Sequence, residues 1–125
     1  MKNLSLLIIC ITIGQAVISQ QTRYYTDSDE KFKEAKEYFQ KEKYSLAYPL
    51  LKELRQDIRE TNKVNQPIVV QEINYYAIVC ALKQNEGRAE EEAQQYIDVE
   101  KNNARVQMMN YHLAEYYFRT EKFED

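Results

Sequence analysis

A chain of 125 residues fits one domain and supports a modest core. Two glycines and two prolines argue against a fold built on tight β-hairpins or long loops, while abundant Glu, Lys, Ala, Gln and Leu favour helix. The formal net charge of −3, with both signs interspersed, lacks the basic footprint of a nucleic-acid binder.

Residues 1–19 read as a secretory signal peptide. Lys2 supplies the positive start, residues 4–13 the apolar core, and Val17-Ile18-Ser19 a cleavage site before Gln20. A retained anchor is the alternative, but the run is short for a membrane span, which takes about 20 apolar residues. Cys10 does not mark a lipoprotein, because Ile9 stands before it where a small residue is needed. Removing the leader leaves Cys80 alone, and a lone Cys on an apolar helix face reads as a packed hydrophobe. Residues 20–27 form a polar lead-in with Tyr24-Tyr25.

A first helix is predicted over 29–43, capped by Asp27 or Ser28, with Phe32, Ala35, Tyr38 and Phe39 at helical spacing. A second runs over 45–60 with Ser45 as its cap, which places Pro49 at the edge of the first turn. Asn65-Gln66-Pro67 opens a third helix reaching Lys83. Ile68-Val69-Val70 would suit a short strand, but nothing elsewhere would pair with it. Glu86-Gly87 is the next turn, with Gly87 expected to take positive φ. A fourth helix covers 89–101, its Glu90-Glu91-Glu92 favourable near a helix N-terminus, and Asn102-Asn103 closes it. A fifth covers 104–120, and Phe123 begins another.

The stretch FKEAKEYFQKEKYSLA at 32–47 returns as YHLAEYYFRTEKFED at 111–125. Phe32 matches Tyr111, Ala35 matches Ala114, Tyr38-Phe39 match Tyr117-Phe118, and Glu42-Lys43-Tyr44 match Glu121-Lys122-Phe123. A weaker copy lies between them, where Ala81 and Ala93 keep the twelve-residue spacing of Ala35 and Ala47. These alanines are expected where helices approach closely, whereas Ala89, at a helix start, is expected to tolerate a larger side chain. Ala35-x2-Tyr38, Ala114-x2-Tyr117, Ala47-x3-Leu51 and Ala93-x3-Ile97 resemble the tetratricopeptide repeat, a helix–turn–helix unit of about 34 residues. The chain departs from that pattern in lacking Trp and the closing Pro, in Gln84, and in about twelve extra residues between the first two units.

The resemblance covers residues 28–125 and implies an all-α fold. It would be a right-handed superhelical stack of antiparallel helix pairs, an α-solenoid of about two and a half repeats at 28–61, 68–102 and 104–125, the last incomplete. Leu113, Ala114, Tyr117 and Phe118 are then expected to be half covered. That expectation makes the chain the start of a longer array, or one that self-associates through this C-terminal face.

Catalytic patterns are sparse. His112 and Glu115 form an H-x-x-E pair, too few ligands for zinc or a helical-bundle di-metal site, and read as a groove-facing polar pair. No Ser or Cys has a His at a recognisable spacing, and glycine-rich phosphate loops and C-x-x-C motifs are absent. The resemblance instead implies a non-catalytic scaffold that needs no cofactor or metal and binds a protein or peptide on its concave face, which the first helices line. Eleven tyrosines are available, three of them followed directly by another. Adjacent helical residues point about 100° apart, so one of each pair faces the core and the other the groove. The partner-binding candidates are Tyr38, Tyr75, Tyr111, His112, Glu115 and Tyr116. With a cleaved leader the chain resembles exported bacterial tetratricopeptide-repeat proteins of the cell envelope, periplasmic or outer-envelope associated, without membrane insertion or nucleic acid. The alternatives are an extracytoplasmic sensor repeat domain of a membrane-bound signalling protein and the docking module of an envelope enzyme.

Overall fold

The computed structural model describes residues 28–61 and 67–121. Five helices occupy them: α1 Ser28–Gln40, α2 Tyr44–Thr61, α3 Pro67–Lys83, α4 Ala89–Val99 and α5 Asn103–Thr120. Among the described residues there is no strand, so this part of the chain is all-α, and Ile68-Val69-Val70 belong to the start of α3. The leader at 1–19, the lead-in at 20–27 with Asp27, Asn65-Gln66 and the helix start at Phe123 lie outside the described residues.

The helix ends show how little glycine the chain uses. α1 stops at Gln40, earlier than expected, in a Schellman turn. Glu42 N–H donates to the Phe39 carbonyl at 2.9 Å and Lys43 N–H to that of Tyr38 at 2.8 Å, with Glu42 left-handed at φ 56°. α3 ends the same way on Asn85, at φ 57°. Gly87, expected to carry the positive φ, does not. Asn accepts the left-handed region because its short polar side chain bonds locally, and here Arg119 Nη2 donates to Asn85 Oδ1 at 2.9 Å. Glu121, the repeat partner of Glu42, is left-handed too, at φ 54°.

Two capping expectations are corrected. Leu46 and Ala47 N–H both donate to the Lys43 carbonyl at 3.0 Å, so α2 begins before Ser45, and Pro49 lies inside the helix instead of at its first turn. Asn102 does not close α4 but caps α5, its Oδ1 accepting from Ala104 and Arg105 N–H at 3.0 and 3.2 Å.

α3 is the centre: it packs against each of the other four helices. Residues 77–82 are all buried, as expected of a helix apolar on every side. One cluster joins Ala35, Ala47, Leu51 and Leu54 to Ile73, Ala77 and Cys80. The other joins the opposite side of α3 to Ala93 and Tyr96 of α4 and to Met109, Leu113 and Tyr116 of α5. Each fully buried leucine contributes about 1.5–3 kcal/mol. Ala35, Ala47, Ala81 and Ala93 are buried as the repeat suggests, but Ala114 is exposed, because no described helix lies over that side of α5. Conversely, Leu113, expected to be half covered, is buried, and so is Ala89, whose place at a helix start is inside the second cluster.

Candidate protein-binding face

Aromatic side chains on α1, α3 and α5 form one band. Phe32 and Phe39 of α1 lie on Tyr76 of α3, with ring centroids 6.2 and 4.7 Å away. Phe39 also meets Tyr44 at 5.5 Å. Tyr76 contacts Tyr75 at 5.4 Å, Tyr75 contacts His112 of α5 at 6.2 Å, and His112 contacts Tyr111 at 5.5 Å. The tilted and edge-on geometries are those aromatic quadrupoles prefer. At the α5 end, Tyr111 is 62% exposed and Met108 also reaches solvent. A cleft of 300 Å³ between α3 and α5 is lined by Glu72, Tyr75, Tyr76, Ala104, Arg105 and Met108.

Ion pairs tie the band across helices. Lys36 Nζ is 2.7 Å from Glu72 Oε1 and lies over the Phe32 and Tyr76 rings at 5.3 and 5.6 Å. The hydrogen bond to Glu72 holds the Lys36 ammonium above its usual range. Lys83 Nζ lies 2.6 Å from both oxygens of Glu115 and over the Tyr44 ring at 5.7 Å. That hydrogen bond keeps the Glu115 carboxyl below its ordinary value. Arg105, at the rim of the cleft, donates to Glu100 Oε2 at 2.9 Å.

Of the sequence candidates, Tyr75, Tyr111, His112 and Glu115 come together on this band. Tyr38 is half-buried against the first cluster and donates to Glu34 Oε1 at 2.8 Å. Tyr116 is a correction: only 6% exposed, it belongs to the core between α3, α4 and α5. Its neighbour Tyr117 turns towards α4 and donates to Glu90 Oε1 at 3.2 Å, so neither tyrosine of that pair enters the band. Sequence reasoning missed Phe32, Tyr76 and Met108 as surface contributors, and the Lys36–Glu72 and Lys83–Glu115 pairs. These pairs join residues 36 and 32 apart on different helices, beyond the reach of any local pattern in the sequence.

A second groove, of 610 Å³, lies between α2 and α4, which do not pack on one another. Arg55 Nη1 spans it to Glu92 Oε2 at 2.7 Å, and its lining is polar at Lys52, Gln56 and Arg59. Among the described residues no group of three His, Cys, Asp or Glu could hold a metal ion. Burial pushes the Cys80 thiol up to about 12, which leaves it a packed hydrophobe rather than a nucleophile. No described helix is long and apolar enough to cross a membrane. Comparison with protein-family models, with curated proteins and with solved structures finds no match to this chain.

Proposed function

We propose that this chain is a tetratricopeptide-like helical scaffold that binds a protein or peptide along the aromatic band of α1, α3 and α5. The observation that carries this reading is the band itself: rings from three helices, half-open to solvent, with a cleft beside them. Tyrosine suits such a surface, because it combines a large rigid contact area with a polar tip. The solenoid part of the reading draws on the packing pattern, in which α1 meets α3 and α3 meets α5 while α2 and α4 stay apart. The matched left-handed residues Glu42 and Glu121 favour it too. The leader-like residues 1–19 favour an exported, envelope-located scaffold.

Photo-crosslinking tests the reading. The full chain, expressed in an exporting bacterial host, would carry a benzophenone amino acid at position 111 or, separately, at exposed position 98 on α4. Adducts with a discrete partner protein are expected from 111 and not from 98. The same adducts from both positions, or adducts from 98 alone, would move the binding surface off the band.

A further inference from the structure

His112 is the only histidine of the chain, and it lies in the seam between α3 and α5. Its side chain is 12% exposed, and buried Nδ1 has no hydrogen-bond partner. Glu115 Oε2 lies 3.7 Å from Nδ1, beyond hydrogen-bond reach. Lys83 already holds both oxygens of that carboxylate at 2.6 Å. The titratable and charged groups around the imidazole are Tyr75 and Lys83 from α3 and Tyr111 and Glu115 from α5. Behind them stand Tyr96 of α4, 6.2 Å from Tyr75 between ring centroids, and Tyr44 of α2, under the Lys83 ammonium. One carboxylate therefore serves one ammonium, and a neutral imidazole fits beside the pair. An imidazolium would put a second cation where there is one anion.

We propose that His112, Glu115 and Lys83 form a proton-operated latch: protonation at Nδ1 draws Glu115 from Lys83, loosens α5 from α3 and shifts Tyr111. The proton comes from solvent, and the new Nδ1–H donates to Glu115 Oε2 after a movement of under about 1 Å into hydrogen-bond range. Tyr111 follows because its ring rests edge-on against the imidazole. Burial and the Lys83 ammonium hold the imidazole below its ordinary value of 6.5, with Glu115 acting in the opposite direction. A depressed value means that the folded chain binds this proton less readily than the unfolded one. The seam is therefore fully stable above about pH 6.5 and loses that stability as pH falls through the folded value. The latch belongs to the seam whatever the band binds, and only its control over binding rests on the proposed function.

A pH titration by NMR on the native full chain tests it, and the single imidazole makes assignment direct. The imidazole is expected to titrate below 6.5, with the Glu115 carboxyl and Lys83 ammonium signals moving at the same midpoint. Lys83→Met should raise that midpoint and Glu115→Gln should lower it. Hydrogen exchange across 105–118, corrected for intrinsic rates, should quicken in mild acid, and His112→Phe should lose that acceleration. An imidazole titrating at its ordinary value while the Glu115 and Lys83 signals stay still would overturn the latch. Acid-dependent exchange persisting in His112→Phe would also overturn it. If that variant does not fold, the wild-type titration decides alone. Neither readout needs a partner, so a failed latch and a failed crosslink are separate results.

Discussion

Ala35 and Ala114 hold the same place in the sequence repeat but differ in burial. α2 and α3 close over Ala35, while Ala114 faces solvent. A larger side chain at Ala35 must displace packed neighbours, which costs about 1–3 kcal/mol. Ala35→Leu should therefore lower the urea midpoint, whereas Ala114→Leu should stay within about 0.5 kcal/mol of wild type. Equal midpoints would contradict the packing of α1. Glu100 makes a second residue-scale case. Its carboxylate is 4% exposed and accepts from Tyr96 Oη at 2.7 Å, Asn102 N–H at 2.8 Å and Arg105 Nε at 2.9 Å. Burial alone would raise its pKa, but these donors outweigh burial and hold it to about 2, against an ordinary 4.5. Its stabilising contribution is thus complete above about pH 4.5 and lost as pH falls towards 2. Glu100→Gln should cost roughly 1.5–3 kcal/mol at neutral pH, the worth of a hydrogen bond to a charged group. In urea unfolding the gap to wild type should narrow as pH falls from 4.5 towards 2, and a constant gap would refute the charge argument.

Helices were the most legible elements, because apolar spacing and the scarcity of glycine and proline both bear on the backbone locally. Their ends were less so. Gly87 looked like the left-handed residue, yet a Schellman turn takes whichever residue follows the last turn, and here Asn85 has Arg119 to hold it. Ser45 looked like a cap, yet the turn at Glu42 lets the Lys43 carbonyl start α2 earlier. Pro49 then sits in a helix interior, with no N–H to offer the Ser45 carbonyl. An interior proline costs about 3 kcal/mol, offset by up to about 1 kcal/mol from restricting the unfolded chain. Pro49→Ala should therefore stabilise the protein by roughly 2 kcal/mol, read as a higher thermal midpoint. An unchanged or lower midpoint would indicate that α2 bends to absorb the ring.

For the whole molecule, the central position of α3 has a kinetic signature. Among the described residues four helices cover α3, whereas α5 rests on α3 and α4 alone and exposes Met108, Tyr111 and Phe118. Segments with fewer covering contacts open at lower free energy. Hydrogen exchange is expected to be slowest in 72–83 and faster in 104–120, with sedimentation showing concentration-dependent association through the α5 surface. Equal protection in a strict monomer would contradict both. Leader removal is tested separately: the intact mass of protein recovered from an exporting host should lack residues 1–19, and a mass retaining them would overturn the cleaved signal peptide.

Helical class, the alanine contacts at Ala35, Ala47, Ala81 and Ala93, and the aromatic character of α1, α3 and α5 were determined by the sequence alone, since periodicity and side-chain size act over one or two turns. The tertiary structure decided which aromatics turn outward, and it did not divide the described tyrosine pairs between core and groove: Tyr75 and Tyr76 both join the band, and neither Tyr116 nor Tyr117 does. Tyr116 went to the core and Tyr111 to solvent because α3 and α4 cover one side of α5 and not the other. It also decided the ion pairs Lys36–Glu72 and Lys83–Glu115, and the seating of His112 beside them. Those groups lie on different helices, and only the packing of α1 and α5 against α3 brings their charges within reach.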